Sequence, residues 1–246
     1  MGVIRANFVE TIDAAREHVR IQPVILTTPA RRGEHVDTIA AAFAGHPAFT
    51  EPIIHCDDNL QGAARATRDA LRRAAGAGPV LFLEDDLLVD EEAGDRIAAT
   101  RFPPDVAIVS FCDMREVPEF SREGLYPRSA LGSDGLGWWG NQALLIHEDT
   151  VTMLQNVDWF SDDVESSHGV LVHKATYLDE GRNCSDIRMS LLVRSHGGRR
   201  VLYAVSVPSL FKHVGYESLC FPGRGMGERE TRNWIGSRRE FGINPQ

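Results

Sequence analysis

Three consecutive carboxylates, Glu84, Asp85 and Asp86, interrupt an apolar run in the stretch VLFLEDDLLVD at residues 80–90. Adjacent like charges repel, and holding them together carries a cost unless a cation sits among them. A second acidic pair, Asp57 and Asp58, closes the apolar stretch EPIIHC at 51–56. A hard divalent cation, Mg²⁺ or Mn²⁺, suits such groups, because it accepts oxygen ligands and takes one or two carboxylates plus substrate phosphates. A nucleoside diphosphate would supply those phosphates, and the metal would draw charge off it as it leaves. Asp90, Glu91 and Glu92 have a plainer explanation, since they open a helix whose first turn favours negative charge.

The elements that must position these acids follow from periodicity. QPVILTT (22–28), EPIIHCDD (51–58), PVLFLEDD (79–86) and DVAIVSFCD (105–113) read as strands. Between them, EHVDTIAAAFAG, LQGAARATRDALRRAAGAG and EEAGDRIAAT read as helices, the second stopped at Gly76 and Gly78. Farther on come a strand NQALLIH, a helix EDTVTMLQNV, a helix SDIRMSLLVRSHG, and RRVLYAVSVPSLFKHVG, a strand running into a loop. This alternation predicts an α/β fold with a mostly parallel sheet flanked by helices. Ligands of such sheets gather beyond the carboxyl ends of the strands, where both acidic groups fall. No linker or repeat divides the chain, so a single domain spanning 1–246 is expected.

The totals exclude several classes. The chain has 246 residues and a net charge of -9, so no overall basic field gathers nucleic acid or an anionic membrane. Four scattered cysteines, with no C-x-x-C pair, carry no zinc signature and no dense disulfide framework. No apolar run reaches the 18 or so residues of a membrane span. A cytoplasmic protein with reduced thiols, from a bacterium or a bacterial virus, is the expectation.

FLEDDLLVDEE resembles the Glu-Asp-Asp form of the DxD motif in GT-A glycosyltransferases, which transfer sugars from nucleotide donors with a metal. DGLGWWGNQALLI is similar to the Gly-Leu-Gly-Trp segment of the N-acetylglucosaminyltransferase I-like families. SDIRMSLLV followed by VSVPSLFKHVG resembles the closing part of those domains and of related bacterial and phage enzymes. The order along the chain is the same, over residues 20 to 220. The resemblance implies a nucleotide-binding half at about 20–115, an acceptor half at about 116–220 and an Arg-rich tail at 221–246.

It also implies roles. Asp86 would ligate Mn²⁺ or Mg²⁺, while Glu84 and Asp85 would contact the ribose or hold metal-bound water. Thr27, Thr28 and Arg31 would lie along the nucleotide, Asp57 would read the uracil edge, and Arg65 would meet the donor. Asp186 would be the general base of a single inverting displacement, which requires an ionised group within reach of the acceptor hydroxyl. UDP is the expected nucleotide and UDP-GlcNAc the expected donor.

Departures leave alternatives open. The interval before Asp186 carries extra sequence with Asp162, Asp163, Glu165, Asp179 and Glu180, each a rival for the base. His213, in SLFKHVG, stands where some GT-A enzymes place a second metal ligand, although a histidine packed at a strand end would look the same. Trp138, beside Gly135 and Gly137, offers an aromatic face for a sugar, or simply a core side chain. The tail holds five arginines against two glutamates in GRGMGERETRNWIGSRR, either a lid over the diphosphate or a solvated terminus. A nucleotidyltransferase is a rival activity, disfavoured because TTPARRGEH has only Gly33 where a triphosphate-holding loop is Gly-rich. A non-catalytic nucleotide-sugar-binding module is a rival of another class. Transfer to modified DNA is disfavoured by the acidic charge.

Overall fold

A computed structural model of the chain describes residues 19–76, 78–103, 106–112, 123–128, 142–161, 185–196 and 201–214. The first half alternates β1 (Gln22–Thr27), α1 (Glu34–Ala41), β2 (Ile53–Cys56), α2 (Ala63–Arg73) and β3 (Val80–Glu84). Then follow β4 (Leu87–Val89), α3 (Ala93–Ala99), β5 (Val106–Ser110), β6 (Gly124–Arg128) and β7 (Ala143–Ile146). The described residues close with α4 (Glu148–Asn156), α5 (Ser185–His196), β8 (Val201–Val207) and β9 (Phe211–His213).

Seven strands form one sheet in the order β2-β1-β3-β7-β5-β8-β6. β1, β2, β3, β5 and β8 point one way, while β7 and β6 run against their neighbours. The sheet is therefore mostly parallel, as the alternation of strand and helix predicts. Its inner strands are apolar on both faces because both faces are covered: Val80, Leu81, Phe82 and Leu83 are each fully buried. On one face Phe82, Leu144 and Ile146 pack with Ala70 and Leu71 of α2, Leu154 of α4 and Leu192 of α5. On the other, Leu81, Leu83 and Leu145 pack with Val36 and Ile39 of α1 and Ile97 of α3.

The helices are local consequences of spacing. In α2, Ala64, Thr67, Ala70 and Leu71 are buried at helical intervals, leaving the arginines outward. Gly76, at φ 79°, ends the stretch in the left-handed conformation that glycine adopts without a Cβ penalty. Two features departed from periodicity. β6 carries Pro127, which weakens any strand reading, and its place on the sheet edge is where a missing N–H is tolerated. A separate two-stranded ribbon joins β4 to β9, pairing Leu87 with His213 and Val89 with Phe211. No helix among the described residues is long and apolar enough to cross a membrane.

Candidate functional site

The parallel register of β1, β2 and β3 brings their carboxyl ends together, with Thr27 beside Cys56 and Leu26 beside Glu84. Asp57, Thr28 and Asp85 therefore follow the strands at one edge. The Thr27 hydroxyl donates to Asp85 Oδ2 at 2.7 Å, with both residues buried. Beyond β1 the chain turns, the Arg31 N–H donating to the Thr28 carbonyl at 3.0 Å. That turn returns the Arg31 guanidinium over the acids: Nη1 donates to Asp85 Oδ1 at 3.2 Å and lies 3.5 Å from Asp86 Oδ2. Arg31 is thus a cation that offsets the repulsion between adjacent carboxylates.

The β4–β9 ribbon supplies the histidine. Its ladder extends one residue past Leu87, the Val214 N–H donating to the Asp86 carbonyl at 2.9 Å. His213 Nε2 consequently lies 3.1 Å from Asp86 Oδ2, and both side chains are nearly buried. The other carboxylate oxygen, Asp86 Oδ1, is buried with no hydrogen-bond partner. An orphaned anionic oxygen next to an imidazole fits a divalent cation of the Mn²⁺ type, which takes both oxygen and nitrogen ligands. Among the described residues no cluster of three or more His, Cys, Asp or Glu side chains could hold a metal. A cation at Asp86 and His213 would accordingly draw its remaining ligands from outside the described side chains.

Glu84 faces the opposite side. Side chains alternate along a strand, so Glu84 shares the face of Phe82, beneath α5. The β3–β7 register pairs Phe82 with Leu144 and Leu83 with Ala143, and the Glu84 N–H donates to the Gln142 carbonyl at 2.9 Å. Gln142 is therefore directly opposite Glu84 on the same face. Half-buried Asp186 lies in the first turn of α5. Desolvation, then the negative charges of Asp86, Asp186 and Asp85, raise the Glu84 carboxyl well above the usual carboxylate range, with Arg31 opposing. Asp186, the base that the resemblance implies, stands within electrostatic reach of Glu84.

Asp57 is buried, and its Oδ1 accepts the Gln61 N–H at 3.2 Å across a tight turn. Leu60 in that turn has φ 48° and is 66% exposed. Arg65, exposed on the first turn of α2, lies 4.8 Å from the centre of the Phe160 ring. Arg68 and Arg188 approach the same ring at 5.5 Å and 5.1 Å, making one aromatic ring a seat for several guanidinium groups. Thr28 Oγ1 is buried without a partner at the same sheet edge.

Gly135, Gly137, Trp138, the rival acids Asp162, Asp163, Glu165, Asp179 and Glu180, and the tail 221–246 lie outside the described residues. Sequence reading passed over Gln142 and Phe160. Gln142 had a faint signal, a polar residue directly before the apolar run ALLI, but its partner is visible only through the ladder.

No protein-family model matches the chain, and no curated protein matches it. Solved structures do. One is a glycosyltransferase involved in the glycosylation of the major capsid of PBCV-1, at 11% identity and a TM-score of 0.42, over 81% of this chain and 94% of that one. Another is the glycosyltransferase GlyE of Streptococcus pneumoniae TIGR4, at 13% identity and a TM-score of 0.35, over 77% of this chain and 45% of that one.

Proposed function

We propose that this chain is a glycosyltransferase that moves a sugar from a nucleotide donor, a UDP-sugar, to a hydroxyl acceptor. The observation that carries the reading is the meeting of Asp85 and Asp86 with Arg31 and His213 at the carboxyl edge of the sheet, with Glu84 behind them in electrostatic reach of Asp186. Asp86 and His213 would hold Mn²⁺ or Mg²⁺, which when bound neutralises charge on the donor diphosphate. Thr27 and Arg31 fix the Asp85 carboxylate through both of its oxygens, a preorganised edge for the polar part of the donor. Arg65, steadied on Phe160, supplies a positive charge near the entry of α2. Asp186 takes the acceptor proton as the acceptor oxygen bonds to the anomeric carbon. The bond from that carbon to the diphosphate oxygen breaks, its electron pair leaves with the diphosphate, and the anomeric configuration inverts.

Calorimetry with UDP, GDP and a panel of nucleotide sugars, with and without Mn²⁺, tests the donor half. Metal-dependent binding of one UDP-sugar, abolished in Asp86→Ala, is expected. Absence of nucleotide binding under every metal condition refutes the reading.

A further inference from the structure

Gln142 is 8% exposed, and its side-chain Oε1 is buried with no hydrogen-bond partner. A buried amide oxygen left unmatched bears the full desolvation cost of the group, so such an atom calls for an explanation. Its surroundings point to one. The Gln142 backbone carbonyl is already engaged by the Glu84 N–H at 2.9 Å, which fixes the residue in the ladder. The β3–β7 register sets its side chain on the same face as that of Glu84, the carboxyl that the charge of Asp186 in α5 reaches. The carboxamide therefore shares a face with Glu84, the acid of the triplet that Asp186 reaches electrostatically. In the glycosyltransferase reading, the transferred sugar would lie between the donor's acids and the acceptor's base.

We propose that Gln142 reads the transferred sugar, its side-chain oxygen accepting a hydrogen bond from a sugar hydroxyl of the bound donor. This rests on the glycosyltransferase reading above. The arrangement is selective because an acceptor that is unsatisfied in the free protein gains its partner only from a ligand carrying the matching hydroxyl. A nucleoside diphosphate without a sugar leaves it unmatched.

The test compares the wild-type chain with Gln142→Met, nearly isosteric without the amide, and Gln142→Leu as a second variant. Calorimetry in Mn²⁺ uses UDP and the tightest-binding member of a panel of UDP- and GDP-sugars, and each protein is also melted without ligand. The expected result is a loss of about tenfold or more in affinity for the nucleotide sugar, with UDP affinity changed by less than about twofold. The melting temperature of the free variants should match or exceed wild type, because the buried Oε1 makes no hydrogen bond in the free protein. Unchanged nucleotide-sugar binding in both variants overturns the assignment while leaving the enzymatic reading intact. Equal losses for UDP and nucleotide sugar, with lowered melting temperatures, also overturn it, by making Gln142 structural. Failure of the wild-type chain to bind any nucleotide sugar removes the proposed function and this role together.

Discussion

Replacing Arg31 by Met removes a guanidinium that lies 3.2 Å from the Asp85 carboxylate and 3.5 Å from that of Asp86. At an effective dielectric of about 20, each such pair is worth about 4 kcal/mol before desolvation is counted. The side chains are only 19%, 7% and 11% exposed, so much of that attraction offsets the removal of charge from water. Breaking the pair while leaving two carboxylates in place should cost about 3 kcal/mol, the low end for a buried ion pair because Arg31 keeps some solvent. For a chain of this length that corresponds to a melting temperature lowered by about 6–12 °C. Circular dichroism melts in EDTA measure it, with Arg31→Lys as the variant that restores a charge without the fork. If the vacated acids accept a metal instead, Mn²⁺ at 100 times its dissociation constant returns about 2.7 kcal/mol. A Met variant that melts within about 2 °C of wild type in EDTA refutes the claim that Arg31 is a counter-cation of the acids.

Leu60→Gly should stabilise the protein by about 1 kcal/mol in urea melts, because φ 48° costs a leucine energy that glycine does not incur. Unchanged stability would mean that the turn relaxes without strain. His55 is held below its ordinary pKa of 6.5 by desolvation and then by Arg73, and both ring nitrogens are buried without partners. The unfolded chain therefore takes the proton first, and the stability present above pH 6.5 is lost as pH falls through the lower folded value. In His55→Asn the urea midpoint should fall less between pH 7.5 and 5.5 than in wild type; parallel pH profiles would contradict this. The Cys56 thiol is pushed up to about 11 by desolvation and by its hydrogen bond with Asp58. Peptide-resolved alkylation with iodoacetamide at pH 8 should label it much more slowly than an unperturbed thiol, and labelling at the free-thiol rate would disprove the shift.

The sheet was legible because its strands are short apolar runs and its helices carry apolar residues at helical spacing. The acids stood out as charges where a buried run should end. The missing part was register. Nothing in the local sequence says that residues 86 and 213, 127 positions apart, share a ladder, yet that ladder alone sets His213 against Asp86. The Gln142–Glu84 opposition depends on β7 entering the sheet antiparallel between β3 and β5, a topological fact that periodicity does not carry. β6, a stretch to which sequence reading assigned no element, carries Pro127, a residue that a strand tolerates at a sheet edge such as this one.

The ribbon of β4 and β9 is three residues on each side, short for an independent structure, and it belongs to neither the main sheet nor a helix. It is anchored by the burial of Leu87 and Phe211, each fully enclosed and each worth about 1.5–3 kcal/mol, and by the Leu210 N–H donating to the Phe111 carbonyl at 2.9 Å. Opening of the ribbon with the seven strands intact would separate His213 from Asp86. Amide exchange at Val214, whose N–H is held by the Asp86 carbonyl, should report that opening ahead of global unfolding. A ligand bridging the two side chains would slow it in proportion to occupancy. Stability at this corner of the protein is thereby tied to what the site holds.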